Sequence, residues 1–168
     1  MNKRYCKPAH SNSIVVLIIA ICVVVTGCSS NPKIGGQKKP IKGSETQSAF
    51  MCKNANYYAN TVVGTGHCVS LIRKCSGAPH TSNWKPGHYV LELPSGSIRS
   101  GSIIATFLNG RYPNKTGWHA AIYISHNQDG IWVWDQWLGQ PVHRRFIRYR
   151  TDKAAPANSA QDYRVVLF

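Results

Sequence analysis

Acidic residues are scarce in this chain: six Asp and Glu stand against twenty Lys and Arg in 168 residues, a formal charge of +14. Charged residues nevertheless make up only 15% of the sequence. The imbalance therefore comes from missing acids rather than from basic tracts, and a disordered polyelectrolyte is excluded. No apolar run reaches the ~20 residues that a membrane-spanning helix needs. No Cys-x-x-Cys or paired Cys/His spacing of zinc type occurs, so no metal or other cofactor is expected. Internal repeats are also missing. What is present is enough for one folded domain: 43% apolar residues and seventeen aromatics, five of them Trp. A folded basic domain calls for an anionic partner, and the compartment decides whether that is nucleic acid, lipid headgroups or the carboxylates of a cell wall.

The N-terminal residues address the compartment. Lys3, Arg4 and Lys7 precede an apolar run over residues 14–25, which at ~1.5 Å per residue falls short of a ~30 Å hydrocarbon core and reads as a secretory signal. The run ends in Val25-Thr26-Gly27-Cys28, which resembles the lipobox of bacterial lipoproteins, with small residues at the cut and a Cys thiol that receives diacylglycerol. The expected organisation is a signal peptide at 1–27, a flexible tether at 28–49 behind a lipidated Cys28, and one domain at 50–168. Acylation attaches such a chain stably to the bilayer, and the Ser, Gly, Lys and Pro of the tether let the domain work ~60–70 Å away from it. Ser29 after the lipidated Cys favours the outer membrane, on its periplasmic side, in a Gram-negative cell. Removing Lys3, Arg4 and Lys7, and none of the six acids, leaves a mature charge of +11. In the envelope the expected anions are headgroups and wall polymers, and nucleic acid is not an expected partner.

Within the domain, apolar and aromatic residues from Phe50 to Val62 have a spacing compatible with a helix that Gly64 ends. A second helix is expected from His67 through Cys75: Thr65 is available to cap it, Cys68, Leu71, Ile72 and Cys75 share one stripe, and Gly77 stops it. Cys68 then lies in the first turn. A Pro-rich loop follows, with a short strand around Tyr89 to Leu93. Beyond it the period changes to two, and residues 101–107, 118–125, 131–137, 142–149 and 163–168 read as strands, with a hairpin loop over 126–130. Helices first and antiparallel strands afterwards argue for an α+β fold.

Of the six Cys, Cys6 and Cys22 leave with the signal and Cys28 is lipidated, so three remain. An oxidising compartment lets two pair and one stay free. If Cys68 is the free thiol, Cys52 and Cys75 are the pair; the other possibility is two buried reduced thiols. A Cys at a helix N-terminus meets unpaired backbone N–H groups that stabilise its thiolate, the nucleophilic form. It needs a base held by a third polar group. His119 is the best-placed base, because Ala120 and Ala121 behind it allow a helix to pack closely over its strand. If Ser125 faces Ile131 across the hairpin, Asp135 falls opposite Ala121 and within reach of His119; a one-residue slip brings Gln136 there instead. The oxyanion donors are then the Cys68 N–H and a second group such as the His67 side chain.

Cys on an early helix, His at the start of a central strand and a polar residue on the next strand resemble the papain-like cell-wall hydrolases, namely the NlpC and CHAP families and related amidase effectors. The matching residues are Thr65-Gly66-His67-Cys68-Val69, Gly101-Ser102-Ile103-Ile104-Ala105, Gly117-Trp118-His119-Ala120-Ala121-Ile122-Tyr123 and the strand with Asp135-Gln136. Two positions depart from the pattern: His67 stands where CHAP has Gln and NlpC has Asp, and Ser102 replaces the usual Asp. The resemblance implies a papain-like NlpC/CHAP fold with N-terminal helices packed on a central antiparallel sheet. It also implies hydrolysis of an amide bond in peptidoglycan by a Cys68-His119-Asp135 triad. Trp84, Trp118, Trp137 and Arg111 are the candidate substrate-binding residues, and an inhibitor or activator protein is a further candidate partner. Trp132, Trp134 and the arginines at 144, 145, 148 and 150 suit core packing or a solvated face, or else a shelf for wall or lipid anions. The rival functions are a catalytically silent lipoprotein that binds the wall or a partner, and a thiol acyltransferase on the same fold.

Overall fold

The computed structural model describes residues 48–168. The expected signal segment, Cys28 and all but the last two residues of the tether lie outside the described residues. Six strands form one sheet: β1 (Lys85–Tyr89), β2 (Ile103–Thr106), β3 (Ala120–Asn127), β4 (Gly130–Trp137), β5 (Gln140–Arg148) and β6 (Tyr163–Leu167). Their order is β1-β6-β2-β3-β4-β5, and every pairing is antiparallel. The C-terminal strand therefore enters between β1 and β2, while β2 to β5 follow one another. Pro86, which has no N–H to give, lies on the edge strand β1, where that loss is tolerated.

Strand periodicity divides the core between the two faces. Ile103, Ala105, Ala120, Ile122 and Val166 point to the face covered by the α-helix α1 (Cys68–Ser76), meeting Leu71 and Ile72. Ile104, Ala121, Tyr123, Val133 and Val165 point to the other face, against Val90, Leu93 and Ile98. Burial on both sides explains why β2 runs Ile103-Ile104-Ala105 without a polar alternation before Thr106. Leu71 and Ile72 are fully buried, each stabilising the domain by about 1.5–3 kcal/mol. Gly77 ends α1 in a left-handed conformation at φ 71°, its N–H donating to Arg73 O at 3.0 Å.

The expected helix over residues 50–63 does not form; the segment has only a 3-10 turn at Ala55–Tyr58. Its backbone is bonded sideways instead. Asn60, at φ 62°, donates its N–H to Val142 O at 2.8 Å, and Val142 N–H donates to Thr61 O at 2.9 Å. Those bonds to β5 displace the i to i−4 bonds that a helix requires. Upstream, Cys52 N–H donates to Gly101 O at 2.9 Å. The approach is so close that a Cβ on Gly101 would stand 2.5 Å from Cys52 O. The fold is α+β as expected, with one α-helix rather than several among the described residues.

Two strand expectations also shift. The strand placed at residues 89–93 lies earlier, at Lys85–Tyr89, and Val90–Glu92 is a 3-10 turn. The β3–β4 hairpin is tighter than a five-residue loop, because His126 stays in β3 opposite Ile131 and only Gln128 and Asp129 turn. His126 is buried, its Nδ1 2.7 Å from Tyr123 OH and its Nε2 3.0 Å from Leu93 O. Partners inside the protein thus make it a strand residue rather than a loop tip.

Cys52 and Cys75 form a disulfide with a Cα–Cα distance of 5.1 Å, which fastens the end of α1 to the segment before it. Cross-linking across 23 positions stabilises a fold by about 2–4 kcal/mol through the unfolded chain. A Cys52→Ser/Cys75→Ser variant is therefore expected to lose about 2–4 kcal/mol in urea unfolding at unchanged wild-type topology, as read by far-UV circular dichroism.

Candidate active site

Cys68 is the first residue of α1 and the free cysteine among the described residues. The N-cap is His67, not Thr65. His67 has extended dihedrals, its ring makes no capping hydrogen bond, and Thr65 Oγ1 pairs with Ser70 Oγ at 2.7 Å. The turn before the helix is instead fixed from below by Gln136, which is fully buried on β4. Its Oε1 accepts from Val63 N–H at 2.9 Å, while its Nε2 donates to Val63 O at 2.8 Å and His67 O at 2.9 Å. Gln136 thus holds the chain that delivers the thiol. It does not take the place of Asp135 beside the histidine.

His119 precedes β3 and is tied to β2: its N–H donates to Thr106 Oγ1 at 2.9 Å, and Thr106 N–H donates to His119 O at 3.0 Å. Its Nε2 lies 3.0 Å from Asp135 Oδ2, and both residues are buried. A carboxylate only accepts, so Nε2 carries the proton and Nδ1 is left for Cys68, whose charge helps to raise the imidazole pKa. The register explains the meeting. Near the turn Ser125 pairs with Trp132 rather than Ile131, but the ladder shifts by one residue between Tyr123 and Ser125. Beyond that shift Ile122 faces Trp134, so Asp135 comes opposite Ala121, on the face of His119.

Two participants lay outside the sequence expectation. Arg145, on β5, donates to Asp135 Oδ2 from Nε at 2.9 Å and lies 2.7 Å from it through Nη2. It is itself held by Asn158 Oδ1 at 3.2 Å and Ala157 O at 3.3 Å. The alternation of Arg144 and Arg145 on opposite faces of β5 is the signal that one of them points at the buried acid. The second is Tyr112, whose hydroxyl is 3.4 Å from Cys68 Sγ. Facing a thiolate, the hydroxyl is the donor. Tyr112 packs against Trp84 with ring centroids 5.2 Å apart and planes tilted by 56°, but nothing in local periodicity marks its loop as approaching the thiol.

Burial pushes the Cys68 thiol up, but the hydrogen bond and charge of His119, with Tyr112 and the Ala120 N–H, outweigh it, and the thiol sits below its ordinary range. Burial would lower His119; hydrogen bonds to Asp135 and Cys68, and their charges, raise it to about 9. Tyr112 is driven far above the ordinary phenol range by burial and by the facing Cys68. The combination favours a thiolate beside an imidazolium.

The other candidates divide by exposure. Trp84 is 2% exposed, its Nε1 donating to Pro79 O at 3.1 Å, so it supports Tyr112 from the core and offers no face to a substrate. Trp118 is half-buried next to His119. Trp137, 39% exposed, stands edge-on to His119 and His143 at 6.3 and 4.8 Å. Arg111 is exposed in the turn before Tyr112, its N–H donating to Leu108 O at 3.0 Å. His67 is exposed and serves the site through its carbonyl.

A thiol at a helix start set against a His/Asp pair on an antiparallel sheet defines the class of papain-like amidase folds. Within that class, a family model described as Dae2, domesticated amidase effector 2, matches residues 41–166, and the chain belongs to this family. It is 42% identical over 92 residues to a type VI secretion amidase effector 2 protein of Salmonella typhi, covering 51% of this chain and 68% of that protein. It is 46% identical over 85 residues to domesticated amidase effector 2 of Ixodes scapularis, covering 49% of this chain and 58% of the relative. A solved type 6 secretion amidase effector 2 superposes with a TM-score of 0.60 at 34% identity, over 71% of this chain and 94% of that one.

Iodoacetamide should alkylate Cys68 at pH values below the ordinary thiol pKa of 9.0. Asp135→Asn should move the alkylation midpoint upward, because a less basic His119 stabilises the thiolate less. An unmoved midpoint would separate Asp135 from the activation of the thiol. Arg145→Met leaves the Asp135 carboxylate buried without its cation, and a loss of about 3–5 kcal/mol is expected in chemical unfolding.

Proposed function

We propose that the chain is a cell-envelope cysteine amidase that cleaves amide bonds in the peptide part of peptidoglycan. The observation that carries this reading is the buried His119–Asp135 pair, bonded at 3.0 Å and electrostatically coupled to the free thiol of Cys68, in a family of amidase effectors. In this reaction the Cys68 sulfur attacks the carbonyl carbon, a C–S bond forms and an electron pair moves onto the oxygen. The oxyanion is met at the N-terminus of α1 by the Cys68 N–H and by the Tyr112 hydroxyl. As the C–N bond breaks, the protonated His119 gives its proton to the leaving amine. Water then attacks the thioester, His119 takes the water proton, the C–S bond breaks and the thiolate returns. Asp135 keeps the imidazole in the required tautomer and orientation throughout. Trp137, partly exposed with its ring 6.3 Å from that of His119, and Arg111, exposed and next in sequence to Tyr112, are the residues proposed to contact the peptide.

The same reading includes a lipid anchor at Cys28 and a station at the envelope, on the periplasmic side of an outer membrane in a Gram-negative cell. Support for it is the lipobox-like Val25-Thr26-Gly27-Cys28 behind a short apolar run. Radiolabelled palmitate should be incorporated into the wild-type chain and not into a Cys28→Ser variant.

Purified sacculi incubated with the wild-type protein should release new muropeptides detectable by mass spectrometry, and the Cys68→Ala variant should release at least 10³-fold less. Equal release by the two proteins, or none by either, sinks the hydrolase reading. With Cys68 below its ordinary range and His119 raised to about 9, activity should rise as the thiolate forms and fall as His119 loses its proton around pH 9. Asp135→Asn should narrow this window from both sides.

A further inference from the structure

Away from the thiol, the helix-side face of β4 and β5 carries a series of rings and cations that the proposed reaction does not use. The antiparallel register sets Trp132 opposite Phe146 and Trp134 opposite Arg144, so residues 132, 144, 146 and 148 share one face of the sheet. The Arg144 guanidinium lies 4.3 Å from the Trp132 ring centroid, Trp132 and Phe146 are 5.0 Å apart, and the Arg148 guanidinium lies 5.9 Å from Phe146. Arg144 and Arg148 are exposed, and α1 packs on β3 and β4, leaving β5 at the open edge.

Among the described residues these two cations have no acid. Of the six acids in the chain, Asp135 is taken by Arg145, Asp152 by Arg150, and Asp129 is bonded to Asn127. Among the described residues no carboxylate stands within 4.0 Å of Arg144 or Arg148. Stacking on a ring restricts a guanidinium without satisfying its N–H groups, so each is held ready for an oxyanion from outside. The rings have their faces occupied by cations, so the patch offers hydrogen-bond donors rather than open rings for a sugar to stack on. At its far end, a cavity of about 350 Å³ is lined by Phe146, Arg148, Tyr149, Gln128 and Asp129.

Arg144 follows His143, the pairing partner of Asp135, in β5 and turns its side chain to the opposite face of the sheet. From there to Arg148 the strand runs on for four residues, or ~14 Å. The geometry points to a second binding surface, built on Arg144 and Arg148 over Trp132 and Phe146, that docks the carboxylates of peptidoglycan stem peptides neighbouring the one being cut. This inference rests on the proposed substrate and adds to it a site outside the catalytic groups. A polymeric wall supplies such carboxylates repeatedly, so a chain anchored by one peptide at the thiol can be held by another at the patch.

The test uses the full chain with Cys68→Ala, so that the wall is bound and not consumed, in co-sedimentation with purified sacculi. Arg144→Gln/Arg148→Gln should weaken sedimentation tenfold or more and flatten its salt dependence. A charge-matched control, Arg73→Gln/Lys74→Gln on the exposed side of α1, should sediment as before. Equal weakening by both pairs would reduce the effect to net charge and overturn the docking surface; so would unchanged sedimentation by the Arg144/Arg148 pair, provided its thermal unfolding is normal. Loss of binding to phosphatidylglycerol vesicles with sacculus binding intact would also overturn it, in favour of a lipid surface. Muropeptide release by the Cys68-containing chain, run in parallel, separates the two readings: release without patch-dependent sedimentation removes only the docking surface, and patch-dependent sedimentation without release removes only the hydrolase.

Discussion

One oxygen atom organises the functional end of this domain. Asp135 Oδ2 takes the Nε2 of His119 and both Nε and Nη2 of Arg145, inside a residue with no solvent exposure. A carboxylate at that depth is tolerable only because cationic donors converge on it. Those donors come from two places, the residue before β3 and the strand β5, and Arg145 is in turn fixed by the acceptors Asn158 Oδ1 and Ala157 O. Ala157 in turn donates its N–H to Gly117 O at 3.0 Å and accepts from Tyr163 OH at 2.9 Å. The chain segment that delivers His119 is therefore braced by the same cluster that accepts its Nε2–H hydrogen bond. Asp135 Oδ1 has no hydrogen bond, and His143 Nδ1 stands 3.8 Å from it while bonding to Pro141 O. The donors are concentrated on the oxygen that faces His119.

The next residue on β4 provides the opposite arm. Asp135 and Gln136 point to opposite faces of the sheet, as consecutive strand residues must. One orients the histidine and the other fixes the turn that carries the cysteine, so a two-residue stretch aligns both halves of the site. A rigid strand sets their separation more precisely than two independent loops could. It also gives a physical role to the departure at position 67: the side chain that NlpC and CHAP domains use there is replaced by a His that contributes its carbonyl, and Tyr112 supplies the donor next to sulfur. The second departure, Ser102, is buried with its hydroxyl unpaired, while its N–H and carbonyl bond to Arg99 and Tyr123.

Much of the site was legible because its parts are local. Gly77 and the stripe of Leu71 and Ile72 mark α1 in the sequence; of the small pair Ala120-Ala121, only Ala120 lies on the face where the helix sits, and Ala121 packs on the other side of the sheet. The Cys, His and Asp of the candidate triad follow from those elements and an assumed register. That register is correct at Asp135 for a reason the sequence does not display: the pairing at the hairpin is one residue different from expectation, and the shift between Tyr123 and Ser125 restores it. The failed helix over residues 50–63 shows the converse. Its apolar spacing suits a helix, but its backbone partners are in β5, about eighty residues away.

The sequence alone therefore determined the α+β class, the helix that carries Cys68 in its first turn and five of the six strands, and it singled out the thiol, imidazole and carboxylate as candidates, because each depends on periodicity or turn chemistry within a few residues. Tertiary structure decided what surrounds them. Arg145 on Asp135, Tyr112 beside the sulfur, Gln136 beneath the helix start, Trp84 turned into the core and β6 inserted between β1 and β2 all join residues distant in sequence. No local pattern encodes such meetings, since they arise only when the sheet closes and each buried polar group must find its partner within the folded chain.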